Sequence, residues 1–398
     1  MRKAIPYGKQ EITDDDIQAV VETLQSDFLT QGPKIAEFES EFAKYVGSNY
    51  AIAVSNGTAA LHLAVMSLGL QEDEYVICTP ITFSASANCV RYCGGKVLFA
   101  DIDPETYLMD LESVKTVLQN NPDKKIKGII PVDFAGRVPQ LADFRKLADE
   151  YNLWIIEDAC HAPGGYFIDE TNKKQTAGNG QFAHLSVFSF HPVKHIATGE
   201  GGMITTNDEV LYKHLMRLRT HGITRDIDSF ENTIEFAVGN SSDNSSYPAW
   251  YMEMQELGYN YRLTDFQAAL GLSQLKRADE NLSKRRAIAK YYTEAFETVP
   301  QIFRHSGLVD GHAYHLFVLE VEDRKGLYDY LRSQNIFAQI HYIPVHLMPY
   351  YKKQGFKAGD FPKSETYYSR CISIPMFPSM TDEELEQVIL TIQAFYTN

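Results

Sequence analysis

A single lysine, Lys194, lies between two apolar runs, Leu185-Ser186-Val187-Phe188 before it and Met203-Ile204-Thr205-Thr206 after it. Ser189 and His191 precede it, and the turn Gly199-Glu200-Gly201-Gly202 follows. Most lysines sit in water on the protein surface. One held between two strands by a glycine-rich turn has lost that freedom. Desolvation then lowers its pKa and suits its amine to form a Schiff base with a carbonyl. Upstream, Trp154-Ile155-Ile156-Glu157-Asp158 reads as a buried strand with two carboxylates at its carboxyl end, where open α/β sheets bind ligands. Taken alone, such an acidic pair could hold a metal or cap a helix. Beside the lysine segment, it meets the two needs of pyridoxal phosphate. These are an amine for the aldehyde and a carboxylate facing the ring nitrogen, which keeps the ring an electron sink. Lys194 and Asp158 are the candidates for those roles.

The elements that must position this pair follow a regular order. Short apolar runs at Tyr50–Val54, Tyr75–Cys78, Val97–Ala100, Lys127–Val132, Trp154–Glu157, Leu185–Phe188 and Met203–Thr206 give seven strands, mostly separated by helix-length segments. That alternation predicts an α/β fold with a largely parallel seven-stranded sheet covered on both faces. Before it, Thr13-Asp14-Asp15-Asp16 caps a helix with an apolar face at Ile17, Val20, Val21 and Leu24, and a second amphipathic helix spans Ile35–Val46. The turn Ser55-Asn56-Gly57-Thr58 leads from the first strand into a helix, whose N-terminus is a ready phosphate site. Past a helical stretch from Leu275 to Phe296, shorter strands at Tyr314–Leu319 and Ile336–Ile340 mix with helices at Arg324–Ser333 and Thr381–Tyr396. We therefore expect a large domain over residues 1–285, with an N-terminal arm, and a small α+β domain over 286–398. The polar stretch 240–246 reads as a mobile loop.

Composition bounds the rest. The 398 residues are 44% hydrophobic and 22% charged, ordinary for a soluble globular protein. A net charge of −15 without a basic cluster argues against nucleic-acid binding, and an anionic substrate would need a local cationic site. Five scattered cysteines form no C-x-x-C pair and fit a reducing cytosol. The N-terminus shows no apolar signal-peptide core, and the most apolar stretch, Ile52–Leu70, is too interrupted to span a membrane. A cytoplasmic protein is expected. Only two histidines, His341 and His346, occur in the H-Y-I-P-V-H run, with no cysteine beside them, so no metal site is assigned.

The runs E-D-A-C-H-A, F-S-F-H-P-V-K and G-E-G-G-M-I-T-T resemble the DegT/DnrJ/StrS family of sugar-nucleotide aminotransferases, of fold type I, and the likeness extends from about Pro6 to the C-terminus. The resemblance implies that Lys194 carries pyridoxal 5′-phosphate, with pyridoxamine phosphate as the intermediate form, and that Asp158 faces its ring nitrogen. Gly57, Thr58 and Ser189 would cradle the phosphate, Phe83 would stack on the ring, and His161 would bond its ring oxygen. Asn260, in G-Y-N-Y-R, would reach the cofactor phosphate of a neighbouring subunit, implying a homodimer with shared sites. Tyr7, Lys9 and Thr30 in the N-terminal arm and its T-Q-G-P turn, with Arg262, His341 and Tyr342, would lie near the sugar nucleotide. Many family members have histidine where Asp133 stands; the D-F-A-G and H-Y-x-P runs are similar to the pseudaminic-acid branch.

The implied reaction is ping-pong transfer of an amino group from L-glutamate to C4 of a UDP-linked 4-keto-6-deoxy-N-acetyl hexose. Three other readings stand beside it: amination of a different nucleotide-linked keto sugar, sugar dehydration, and a cofactor-binding protein without catalysis. Dehydratase relatives replace the lysine with histidine, which Lys194 argues against. A metal enzyme built on Asp101, Asp103 and Asp158 is the poorest fit.

Overall fold

The computed structural model describes residues 4–239 and 245–397. Seven strands form the central sheet: β1 (Tyr50–Val54), β2 (Tyr75–Cys78), β3 (Lys96–Phe99), β4 (Ile126–Ile130), β5 (Trp154–Asp158), β6 (Leu185–Ser189) and β7 (Gly202–Thr206). Their spatial order is β1-β7-β6-β5-β4-β2-β3. Six run parallel; β7 alone runs against its neighbours β1 and β6. Both faces of the sheet are covered, which explains why strands such as β1 and β6 read as near-continuous apolar runs. Ile52, Val54, Ile156, Val187 and Ile204 are fully buried, and each such side chain contributes about 1.5–3 kcal/mol on leaving water.

Helix α1 (Asp14–Leu24) opens with the expected cap: Asp16 N–H donates to Thr13 Oγ1, and Thr13 N–H donates back to the Asp16 carboxylate. Proline at the first position of α2 (Pro33–Val46) fits the start of a helix, where its missing N–H would have had no partner. Helix α3 (Gly57–Ser67) buries residues on nearly every side, from Leu61 to Val65, because it lies inside the molecule against β6 and β7. A buried ion pair ties this region together. Glu39 of α2 accepts from Arg219 and from Ala53 N–H, while Arg219 also donates to the Ala53 carbonyl.

The C-terminal part has its own three-stranded antiparallel sheet, Ile302–His305, Phe317–Val321 and Cys371–Ile374 in that order. Its core joins Phe317, Leu319, Leu327, Leu331, Ile372 and Val388 to Ile5 from the other end of the chain. The long helix Ala278–Phe296 runs straight through the boundary expected near residue 285.

Two local expectations need correction. Ile336–Ile340 forms no strand; Ile336 bridges Ile5 on one side, and Gln339 bridges Ser373 on the other. The segment changes partners within four residues, so no ladder develops. The strand expected from Tyr314 begins instead at Phe317, since Tyr314 has a φ of 48°, outside the extended region. Residues 240–244 of the expected mobile loop lie outside the described residues.

Candidate active site

The carboxyl ends of β5 and β6, the N-terminus of α3 and the loop after β2 converge on one cavity of about 720 Å³. Lys194 enters it from the turn after β6, where its N–H donates to the His191 carbonyl. Loss of water around the amine, with Arg285 nearby, pushes the lysine pKa down to about 8 against the pull of Cys160 and Asp158. Its Nζ lies 3.4 Å from His315 Nε2. Burial holds His315 well below the usual histidine range, so its ring is neutral and can meet the amine as a hydrogen-bond partner.

Asp158 faces the cavity from the last position of β5. Ser86 Oγ donates to its Oδ2 at 2.6 Å, and Cys160 N–H donates to its Oδ1 at 3.3 Å. Thr82 and Ser86 hydroxyls are 2.7 Å apart, extending this support. Three residues on from Asp158, His161 accepts from Ala135 N–H through Nδ1 (3.2 Å), which leaves the proton on Nε2, 3.2 Å from the Tyr342 hydroxyl. Its ring centroid is 4.3 Å from that of His315. Both rings are held by the turn Asp133–Arg137. Gly136 has a φ of 103°, and a Cβ there would lie 2.7 Å from Tyr314 N and 3.0 Å from the His161 carbonyl. Only glycine fits.

The opposite wall is built for an anion. Asn56 caps α3 by accepting from Ala59 N–H at 2.8 Å. The first-turn N–H groups of a helix lack intrahelical partners and carry the positive end of its dipole. A Cβ on Gly57 would stand 2.9 Å from Ser189 Cβ, so the absence of a side chain keeps the helix N-terminus and the Ser189 hydroxyl in one cradle. Buried amine, supported carboxylate and anion cradle together fit pyridoxal phosphate. Phe83, 60% exposed, overhangs the cavity 6.3 Å from the Tyr342 ring.

Ten of the fourteen residues expected from sequence line this cavity: Tyr7, Gly57, Thr58, Phe83, Asp158, His161, Ser189, Lys194, His341 and Tyr342. Lys9, Thr30, Asn260 and Arg262 do not. Lys9, Thr30 and Asn260 are exposed, and Arg262 is half-buried. His315, Ser86 and His62 also line the cavity and were not anticipated. Among the described residues no group of three or more histidine, cysteine or acidic side chains could hold a metal ion.

The profile of the DegT/DnrJ/EryC1/StrS aminotransferase family matches residues 10–393. The chain belongs to this family. Its enzymes use pyridoxal phosphate, and the geometry above suits that cofactor. Among curated relatives, the spore coat polysaccharide biosynthesis protein SpsC of Bacillus subtilis is 38% identical, covering 98% of this chain and 96% of that protein. A UDP-4-amino-4,6-dideoxy-N-acetyl-β-L-altrosamine transaminase of Campylobacter jejuni is 33% identical over 94% of this chain and 93% of its own. Among solved structures, Helicobacter pylori PseC, an aminotransferase involved in the biosynthesis of pseudaminic acid, superposes with a TM-score of 0.87 at 27% identity. That match covers 99% of this chain and all of the other. This DegT-family chain is thus a sugar aminotransferase of fold type I.

Proposed function

We propose that the protein transfers an amino group from L-glutamate to C4 of a UDP-linked 4-keto-6-deoxy-N-acetyl hexose, as a homodimer in the cytoplasm. The observation that carries the reading is Lys194, its amine pushed down to about 8 and set in one cavity with Asp158 and the α3 anion cradle. Pyridoxal phosphate, when bound, supplies an aldehyde that captures amines and a ring that delocalises the electrons left when a Cα proton departs. Gly57, Thr58 and Ser189 would hold its phosphate, Asp158 would partner the ring nitrogen, and Phe83 would cover one face of the site. Lys194 would take the proton from the donor's Cα onto Nζ and hold it there for return. In the second half-reaction it works in reverse on the sugar. His315, neutral and 3.4 Å from Nζ, orients the lysine amine through a hydrogen bond between these steps. His161 offers its Nε2–H toward the site, and Tyr342 shares it.

Substrate recognition falls to the outer rim. Tyr7 and His341 rings pack at 5.4 Å and line the cavity, and exposed Lys9 and Thr30 and half-buried Arg262 are assigned to the sugar nucleotide. Asn260, exposed and outside the cavity of its own chain, is assigned to the cofactor phosphate of the neighbouring subunit. Support for the altrosamine-type sugar is the 33% identity to the Campylobacter transaminase and the likeness to PseC. A second keto sugar, one destined for a different surface polysaccharide, is favoured by the higher identity to SpsC.

The test is an absorbance titration of the purified protein. The visible band of lysine-bound cofactor should disappear with glutamate and return with the cognate UDP-keto sugar alone. Initial-velocity lines should be parallel. Intersecting lines, or no loss of the band with glutamate, would end the proposal; recovery with another keto sugar would move it to the second reading.

A further inference from the structure

Behind Asp158 lies a second acidic pair that the mechanism does not use. Asp133 follows β4, and its N–H donates to the Asp158 carbonyl at 3.0 Å, while Asp158 N–H donates to the Pro131 carbonyl at 2.9 Å. Side chains alternate along a strand, so Glu157 points away from the cavity that Asp158 faces. Asp133 meets Glu157 on that hidden side, with the two carboxyl groups within hydrogen-bonding reach. Asp133 is wholly buried and Glu157 is 1% exposed. Glu157 Oε2 accepts from Gly178 N–H (2.9 Å) and Ser186 Oγ (2.5 Å). Its Oε1, and both carboxyl oxygens of Asp133, have no donor from any other described residue.

Two ionised carboxylates could not stay together here. Each would be desolvated, and the charge of a third carboxylate, Asp158, acts on both; among the described residues no lysine or arginine hydrogen-bonds to either. A proton held between two crowded carboxyl groups removes the repulsion and fills the missing donor. We infer that Asp133 is a carboxylic acid donating its proton to the carboxylate of Glu157, and that the pair places a single negative charge directly behind Asp158. Asp133 keeps the proton because Glu157 has two other donors to stabilise its charged form, whereas Asp133 has none. Burial pushes both groups above their usual range, in keeping with this arrangement. Resting on the reading of Asp158 as the partner of the cofactor's ring nitrogen, the pair is a positioning device. Its charge favours a protonated ring and holds the Asp158 backbone in register with the turn that carries His161.

Infrared spectroscopy of the holoenzyme in heavy water tests the shared proton without any variant. A carboxylic-acid C=O stretch should be present at neutral pH and should shift when aspartate, but not glutamate, carries ¹³C at its side-chain carboxyl. Asp133→Asn should abolish it. Absence of the band, or its survival in Asp133→Asn, overturns the inference. The charge is tested with ¹⁵N-labelled cofactor. Asp133→Asn still offers an N–H to Glu157 and should leave the ring-nitrogen shift in place. Glu157→Gln removes the charge, so it should move that shift toward the value of neutral pyridine and weaken cofactor binding about tenfold, the equivalent of one pKa unit. An unchanged shift in Glu157→Gln refutes the charge. If the wild-type ring nitrogen is unprotonated, the role given to Asp158 fails instead, while the infrared band still decides where the proton sits.

Discussion

The inner and outer ends of the cavity are made differently. At the inner end, Asp158, His161, Lys194 and Gly57 sit at the tips of strands or the start of a helix, and neighbours that are themselves buried fix most of their polar atoms. At the outer end, Tyr7, His341 and Phe83 come from an arm and two loops, and Phe83 remains largely exposed. Sites on rigid elements hold geometry, whereas loops vary without disturbing the core. The chemistry is therefore built into the sheet, and the choice of sugar is built onto it.

This contrast makes predictions of unequal size. Lys194→Ala should show no visible cofactor band and lose on the order of 10²–10⁴-fold in turnover, the usual worth of a positioned proton-transfer group; a spectrum and a product assay check it. Activity close to wild type would place the chemistry elsewhere. Gly57→Ala brings a Cβ to 2.9 Å from Ser189 Cβ and narrows the anion cradle. Cofactor affinity should fall roughly tenfold, about 1.4 kcal/mol, measured by fluorescence titration, with the unfolding temperature of the apoprotein little altered.

The third prediction concerns pH. A lysine ordinarily stays protonated to about pH 10, but Lys194 loses its proton near 8. Capture of pyridoxal phosphate by the apoprotein needs the free amine. Its rate should rise with pH and level off above about 8, falling about tenfold for each unit below. A rise that continues past pH 9 would mean an ordinary solvated lysine. The smallest effect belongs to the rim. His341→Ala should raise KM for the sugar nucleotide about three- to tenfold, equivalent to losing one or two weak contacts, while the glutamate half-reaction keeps its rate. If both half-reactions slow together, the two ends are not separable and the contrast breaks.

The same division governs how much was legible in the sequence. All seven strands of the large sheet were readable because strands buried on both faces are short, mostly apolar runs, and Lys194 and Asp158 stood out as polar residues near their ends. Asp133 was visible as a departure from the family pattern, but its meaning depended on a neighbour across the sheet. His315 was missed for a different reason. In Y-H-L-F it looks like the interior of a strand, and only the turn of Tyr314 into positive φ and the contact with the Asp133–Arg137 turn bring its ring to Lys194. Ile336–Ile340 was misread as a strand because its apolar residues suit one, while its two partners come from opposite ends of the chain. Local pattern carries no trace of such long-range pairing.

Ile5 is one of those distant partners. Its N–H donates to the Asn335 carbonyl, its carbonyl accepts from Phe337 N–H, and Tyr7 accepts from Met376 N–H. On the ribosome, where chains grow at roughly 5–20 residues per second, the segment with Ile5 and Tyr7 must wait for partners made much later before it can settle. The large sheet can close long before then. The wall of the substrate mouth that carries Tyr7 is thus among the final parts of the molecule to form, and a nascent chain halted before Met376 would hold its chemical centre behind an unfinished entrance.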